Sequence, residues 1–218
     1  MIKRLLLLVA VITGALNAIG ADTLKVFSPS GKITVKVWLD KQLSYMILHN
    51  GNTILEPSVI DIVPVKQPAL SSGISLKSSA IKKISSQVIS PVPEKRKIIA
   101  DVYNQLTLIF KQPYKVEFRV YDDGAAYRIS TSFKDSLVIK NEVAEFRFPG
   151  TPSAYFPEIP ARAGSDADQF HTSFEHTYSF KRIDSFPLTS ITYSPLLIVP
   201  QSNPKIAITE SDLEEYPG

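Results

Sequence analysis

Along much of the chain, apolar and polar side chains alternate one by one. Val116, Phe118 and Val120 interleave with Lys115, Glu117, Arg119 and Tyr121, and Tyr127, Ile129, Thr131 and Phe133 resume the alternation after Asp122-Asp123-Gly124. A period of two marks a strand with one buried face. Asp-Gly between two such runs signals a hairpin, because glycine takes positive φ at no steric cost. The two strands are therefore expected to be antiparallel neighbours near the centre of a sheet.

The same pattern predicts strands over 24–27, 32–39, 43–49, 53–55, 61–65, 74–76, 98–103, 105–111, 115–121, 126–133, 137–139, 145–148, 191–199 and 205–209. Ser30-Gly31, Asn50-Gly51, Ser72-Gly73 and Gln112-Pro113 punctuate them as turns. Many short strands at this spacing predict an all-β fold, a large antiparallel β-sandwich. Ile81, Ile84 and Val88 have helical spacing, yet the serines around them and the nearby Pro91 and Pro93 argue against a long helix. Residues 149–190 are the least regular part, with Gly150, Pro152, Pro157, Pro160 and Gly164. Connections of that length on a rigid scaffold often carry function.

Composition agrees with β structure: Val, Ile, Tyr, Phe and Ser are plentiful, and 16 prolines are scattered along the chain. Residues 1–20 read as a secretory signal, with Lys3 and Arg4 ahead of an apolar run from Leu5 to Ile12 and small residues at Ala18, Gly20 and Ala21. That run is too short for a spanning helix, so export, most simply to a bacterial periplasm, is expected without stable membrane insertion. Residues 21–218 are then the mature β domain. Removing Lys3 and Arg4 takes the charge from 24 basic against 21 acidic residues to 22 against 21. A near-neutral chain argues against nucleic acid or an anionic membrane as partner. Cysteine is absent, so an exported domain of this size must rest on its hydrophobic core.

Few side chains suggest chemistry on their own. Asp122 and Asp123 are paired carboxylates, but hairpin turn chemistry accounts for both. Asp166 and Asp168 resemble the start of a calcium loop whose remaining ligands are absent at the required spacing. His171, Glu175 and His176 lie within six residues, at a spacing wrong for a zinc-protease helix. Tyr155, Phe156, Phe170, Phe174 and Tyr178 crowd into the irregular region, where aromatic rings could stack on sugars. Nucleophile elbows, phosphate loops and dinucleotide fingerprints do not occur.

Phe118-Arg-Val-Tyr-Asp-Asp-Gly-Ala-Ala-Tyr-Arg128 resembles a signature in the N-terminal domain of glycoside hydrolase family 97. Ser28-Pro-Ser-Gly-Lys32, Asn104-Gln-Leu106, Ile208-Thr-Glu-Ser-Asp-Leu213 and Tyr216-Pro-Gly218 match further motifs in the family's order. The resemblance implies a β-super-sandwich similar to that of galactose mutarotases. It implies a parent of the exported α-glucosidase and α-galactosidase type, whose catalytic residues lie on a (β/α)8 barrel. No such barrel is encoded before Gly218, so the chain reads as a C-terminally truncated, non-catalytic module. That module would pack on the barrel and help to form its sugar and Ca2+ site. A free-standing carbohydrate-binding protein and a non-functional gene fragment are the alternatives.

The resemblance also assigns residues. Ser173-Phe-Glu-His-Thr-Tyr178 is similar to the segment whose glutamate reaches the barrel and, in the calcium-dependent branch, ligates Ca2+. Glu175 is then either a metal ligand acting with barrel ligands or an exposed loop carboxylate. Glu210 also matches the family pattern, at the end of a strand, and is a candidate contact for an oligosaccharide; among the aromatics of the irregular region Tyr155 and Phe174 are the others. No catalytic residue is expected, and no cofactor for this chain alone.

Overall fold

The computed structural model describes residues 23–92, 95–159, 175–202 and 204–211. Its strands, in chain order, are β1 (Leu24–Phe27), β2 (Ile33–Leu39), β3 (Leu43–His49), β4 (Asn52–Pro64), β5 (Leu76–Ile89), β6 (Ile98–Phe110) and β7 (Tyr114–Val120). They continue with β8 (Ala125–Thr131), β9 (Ile139–Ala144), β10 (Ser153–Phe156), β11 (Ser179–Arg182), β12 (Leu196–Val199) and β13 (Ile206–Ile208). The fold is all-β, and every strand pairing is antiparallel. Among the described residues no helix is long and apolar enough to cross a membrane.

Three sheets result. One has the order β1-β2-β3-β4-β9, a second β5-β6-β7-β8, and a third β11-β10-β12-β13. The first two form the sandwich, and alternation explains why. Val35, Val37, Leu43, Tyr45 and Ile60 of the first sheet and Leu106, Leu108, Val116, Phe118 and Val120 of the second are buried in one cluster. Each such side chain taken from water contributes about 1.5–3 kcal/mol. Tyr45 meets Phe118 across the sheets with ring centroids 5.9 Å apart, and its hydroxyl donates to the Glu145 carbonyl at 3.0 Å.

Buried Asp61 closes one end of the core. It accepts from the Ile62 amide at 2.9 Å, the Ser71 amide at 3.0 Å and the Ser71 hydroxyl at 2.6 Å. Those bonds hold the loop that presses Leu70 into the cluster, and Tyr114 donates to the Pro68 carbonyl of the same loop at 2.7 Å.

Several expectations change. The stretches expected at 53–55 and 61–65 merge into the single strand β4, which ends at Pro64, and those at 98–103 and 105–111 into the single strand β6, which ends at Phe110. The Ile81, Ile84 and Val88 segment is neither helix nor irregular but lies in β5, paired with β6 along its whole length. Its three-and-four spacing arises because apolar residues occupy both faces of this ribbon. Asn50-Gly51 turns between β3 and β4 with φ of 49° and 82°, as the hairpin signal requires. At the Asp122-Asp123-Gly124 turn the Tyr121 amide donates to the Gly124 carbonyl at 2.8 Å. Gly124 does not use its left-handed freedom there, since it is not among the positive-φ residues. The proposed signal at residues 1–20 lies outside the described residues.

Candidate functional site

Residues 149–190, read as irregular from sequence, contain β10 and β11, which with β12 and β13 make the third sheet. Its registers place Phe180, Tyr155, Leu197 and Ala207 side by side across all four strands. The neighbouring row runs Lys181, Ala154, Ile198 and Ile206. Because side chains alternate between faces, the two rows point opposite ways. Ala154 and Ile198 are 0% and 1% exposed, whereas Tyr155 and Phe180 are 42% and 52% exposed. The buried residues described in this part, Pro152, Ala154, Pro157, Ile159 and Ile198, lie outside the sandwich's core cluster.

The exposed row is an aromatic and aliphatic platform. Tyr155 and Phe180 lie with centroids 4.5 Å apart at 34°. Beside them Tyr155, Tyr178, Pro195, Leu196, Leu197 and Ala207 line an open cavity of about 360 Å³ with almost no polar atoms. The platform rests on a well-tied base. Phe156 stacks on Phe186 at 4.1 Å, and the Lys181 ammonium lies 4.9 Å from the Phe186 ring centroid. Glu158 accepts from the Lys181 ammonium at 2.9 Å and from the Ser179 hydroxyl at 3.2 Å. The hydrogen bond from Lys181, more than any other influence, holds the Glu158 carboxyl below the usual range.

The sequence candidates distribute unevenly over this surface. Tyr155 is at the centre of the platform. Glu210 follows β13 by two residues, near Thr209, whose hydroxyl lies 3.2 Å from that of Ser194. Glu175 precedes β11 by four residues and is exposed. The registers Phe156 with Ser179 and Leu196 with Ile208 put both glutamates at the same end of the sheet. They belong to its opposite edges, three strand spacings or about 14 Å apart. Phe174, Phe170, His171, Asp166 and Asp168 lie outside the described residues. Phe156 turns to the other face, where Phe186 covers it. Phe180, Leu197 and Pro195 were missed by sequence reasoning. Tyr178 and Phe180, two residues apart, were the one local sign of a strand there.

Calcium takes six to eight oxygen ligands. Among the described residues no group of three or more His, Cys, Asp or Glu could hold a metal. The carboxylates described here do not amount to a calcium site by themselves; Glu175 offers one donor group. Asp122 proves structural: its Oδ1 accepts from the Ser30 amide at 2.8 Å, tying the β7–β8 turn to the loop after β1. The hydrogen bonds from Ser30 keep this exposed carboxyl below its ordinary pKa.

The family profile described as glycosyl-hydrolase 97 N-terminal matches residues 26–218. The chain belongs to that family. A curated relative, the "Retaining alpha-galactosidase" of Bacteroides thetaiotaomicron, is 31% identical over 219 residues, covering 99% of this chain and 33% of its own length. The family 97 chain thus spans about a third of the curated relative it matches. Among solved structures, a glycoside hydrolase family 97 enzyme of Pseudoalteromonas sp. strain K8, described in complexes with panose and with acarbose, superposes with a TM-score of 0.67. That likeness holds at 21% identity, over 82% of this chain and 27% of the other. A beta-arabinopyranosidase gives a TM-score of 0.59 at 23% identity, over 72% of this chain and 26% of its own. At these identities the structures share the fold.

Proposed function

We propose that this family 97 domain is a non-catalytic module of an exported glycoside hydrolase acting on α-linked sugars. In this reading the third sheet's aromatic platform packs towards a catalytic (β/α)8 barrel, and Glu175 is offered to that barrel's sugar and Ca2+ site. Residues 1–20 direct export, most simply to a bacterial periplasm. The observation that carries the proposal is the row Phe180, Tyr155, Leu197 and Ala207, with Phe180 and Tyr155 largely exposed, on a sheet whose other face buries Ala154 and Ile198. Aromatic faces of this kind are common where a sugar ring or another domain is received.

Carboxylate geometry supports a non-catalytic role. Glycoside hydrolysis needs two carboxyl groups flanking the scissile bond, about 5–5.5 Å apart in retaining enzymes and about 6.5–9.5 Å apart in inverting ones. The strands that Glu175 and Glu210 adjoin are the two edges of the third sheet, about 14 Å apart, wider than either separation. The purified chain should therefore show no turnover of aryl α-glucosides or α-galactosides, and hydrolysis that survives further purification refutes the proposal. One loop carboxylate gives little charge and no preformed cage, so Ca2+ should bind no tighter than about 10⁻³ M. A micromolar Ca2+ site found by calorimetry in this chain alone refutes Glu175's role as a lone contributor.

The cavity beside Tyr155 favours a second reading, a free-standing carbohydrate-binding protein. Calorimetric titration with α-linked oligosaccharides separates the two. Saturable binding that is lost in Tyr155→Ala supports the second, and no binding supports the first.

A further inference from the structure

The β5–β6 ribbon outlasts the sandwich. Strand β7 accompanies β6 only as far as the pair Asn104 and Val120, and there the Asn104 side chain donates to the Phe27 carbonyl at 2.6 Å. Beyond that tie, β5 and β6 continue alone from the pair Ile84 and Tyr103 to the pair Ile89 and Ile98. Six residues of strand, about 20 Å of ribbon, continue past the end of that pairing, with Tyr121 of the body still lying against Tyr103 and Asp101. This arm is not dressed for water. Val88, Ile89, Val92, Ile98, Ile99 and Val102 are 39–69% exposed, on both faces of the ribbon and at its tip.

Charge divides the arm lengthwise. At the tip Lys95, Arg96 and Lys97 are all exposed and outnumber the adjacent Glu94. At the base lies a cleft of about 520 Å³ lined by Val88, Ile99 and Tyr121 together with Asp101, Asp122 and Asp123. Asp101 there accepts from the Ser86 hydroxyl at 3.1 Å and the Tyr121 hydroxyl at 3.4 Å, and Asp123 is exposed. Along the strand Lys97 lies four residues, or about 13 Å, from Asp101.

We propose that the chain associates with a second copy of itself through this arm. In a two-fold, antiparallel pair of arms the basic tip of each copy enters the acidic cleft of the other, and both contacts form at once. Val88 and Ile99 of the cleft then meet Val92 of the partner's tip. On the face of the cleft Val88 and Ile99 stand side by side and exposed, and Val92 is exposed at the tip. Lys77, Lys82 and Lys83 lie along the outer strand β5 and oppose edge-to-edge sheet extension, which leaves the faces and the tip to associate. This inference concerns a different surface from the aromatic platform and does not depend on the function proposed above.

Sedimentation equilibrium of the purified chain at tens of micromolar tests it. The wild type is expected to sediment at twice the monomer mass in low salt. Dissociation should weaken the dimer at least tenfold between about 50 mM and about 500 mM salt. The tip variant Lys95→Glu/Arg96→Glu/Lys97→Glu and the cleft variant Asp123→Lys, which spares the hydrogen bonds of Asp101, should each be monomeric with an unchanged circular-dichroism melt. Mixed in equal amounts, the two variants should recover a heterodimer. A wild-type monomer at all these concentrations overturns the proposal. So does association that survives reversal of the tip, or an arm that binds only vesicles of anionic lipid.

Discussion

The sandwich and the third sheet are built from the same kinds of residue and dispose of them in opposite ways. In the sandwich, Tyr45 and Phe118 are both 2% exposed and face each other across two sheets. In the third sheet, Tyr155 and Phe180 touch just as closely but lie largely in solvent. Aromatic content alone therefore does not separate core from surface; what does is whether a second layer covers the row. Where one does, the ring contributes to stability. Where none does, the ring is available to something else.

The sharpest test of that contrast is a pair of truncations. Phe118→Ala should cost about 3–5 kcal/mol in denaturant unfolding, as large-to-small changes in a closed core do. Phe180→Ala should cost about 1 kcal/mol or less, the worth of an exposed ring pair. Equal losses would mean that the platform is part of a core after all.

A second test concerns the buried carboxylate. Asp61→Ala leaves the Ser71 amide and hydroxyl and the Ile62 amide without their acceptor, and should cost about 2–3 kcal/mol. Hydrogen exchange should then rise first in the loop carrying Leu70. Uniform exchange would show that the loop is not held by Asp61.

The smallest effect is expected at Tyr45. Burial, with smaller contributions from Tyr127 and Glu145, raises its pKa well above the ordinary 10.0. The folded state thus favours the neutral phenol. The stability linked to that shift is complete below pH 10 and is lost as the pH climbs from 10 towards the folded value. Tyr114 and Tyr121 shift in the same direction, chiefly by burial. Tyr45→Phe should cost about 0.5–1.5 kcal/mol at neutral pH through the lost bond to Glu145, and should flatten the alkaline decline. An unchanged alkaline limb would assign the decline to the other two tyrosines.

Strict alternation against one buried face made β1, β2, β3 and β7 legible within a residue, and Asn50-Gly51 located its hairpin. Legibility failed where that condition failed. Polar residues at Glu56, Ser58 and Asn104 divide β4 and β6 in the sequence pattern, although each makes a hydrogen bond inside a strand that runs on past it. Strand β5 was unreadable because no layer covers its distal half and nothing enforces a single apolar face. At the candidate site Tyr155 was found, yet Phe180, Leu197 and Ala207 were not. They share a row with Tyr155 only through pairings to strands that lie far along the sequence, Tyr155 with Phe180 and Tyr155 with Leu197, and no local pattern carries a register.

Strand β9 sits beside β4 at the edge of the first sheet, although β5, β6, β7 and β8 are made between them. The second sheet is a meander whose every pairing joins consecutive strands. It can therefore zip up as its own segment emerges. The first sheet must hold β4 with one side unpaired until Ile139–Ala144 arrives and Glu145 can accept from Tyr45, a closure across 100 residues. Such long-range closure slows folding and leaves a strand edge exposed in the interval. Assembly order is thus written into the topology: the later sheet is the first to be finished, and the earlier one waits for it.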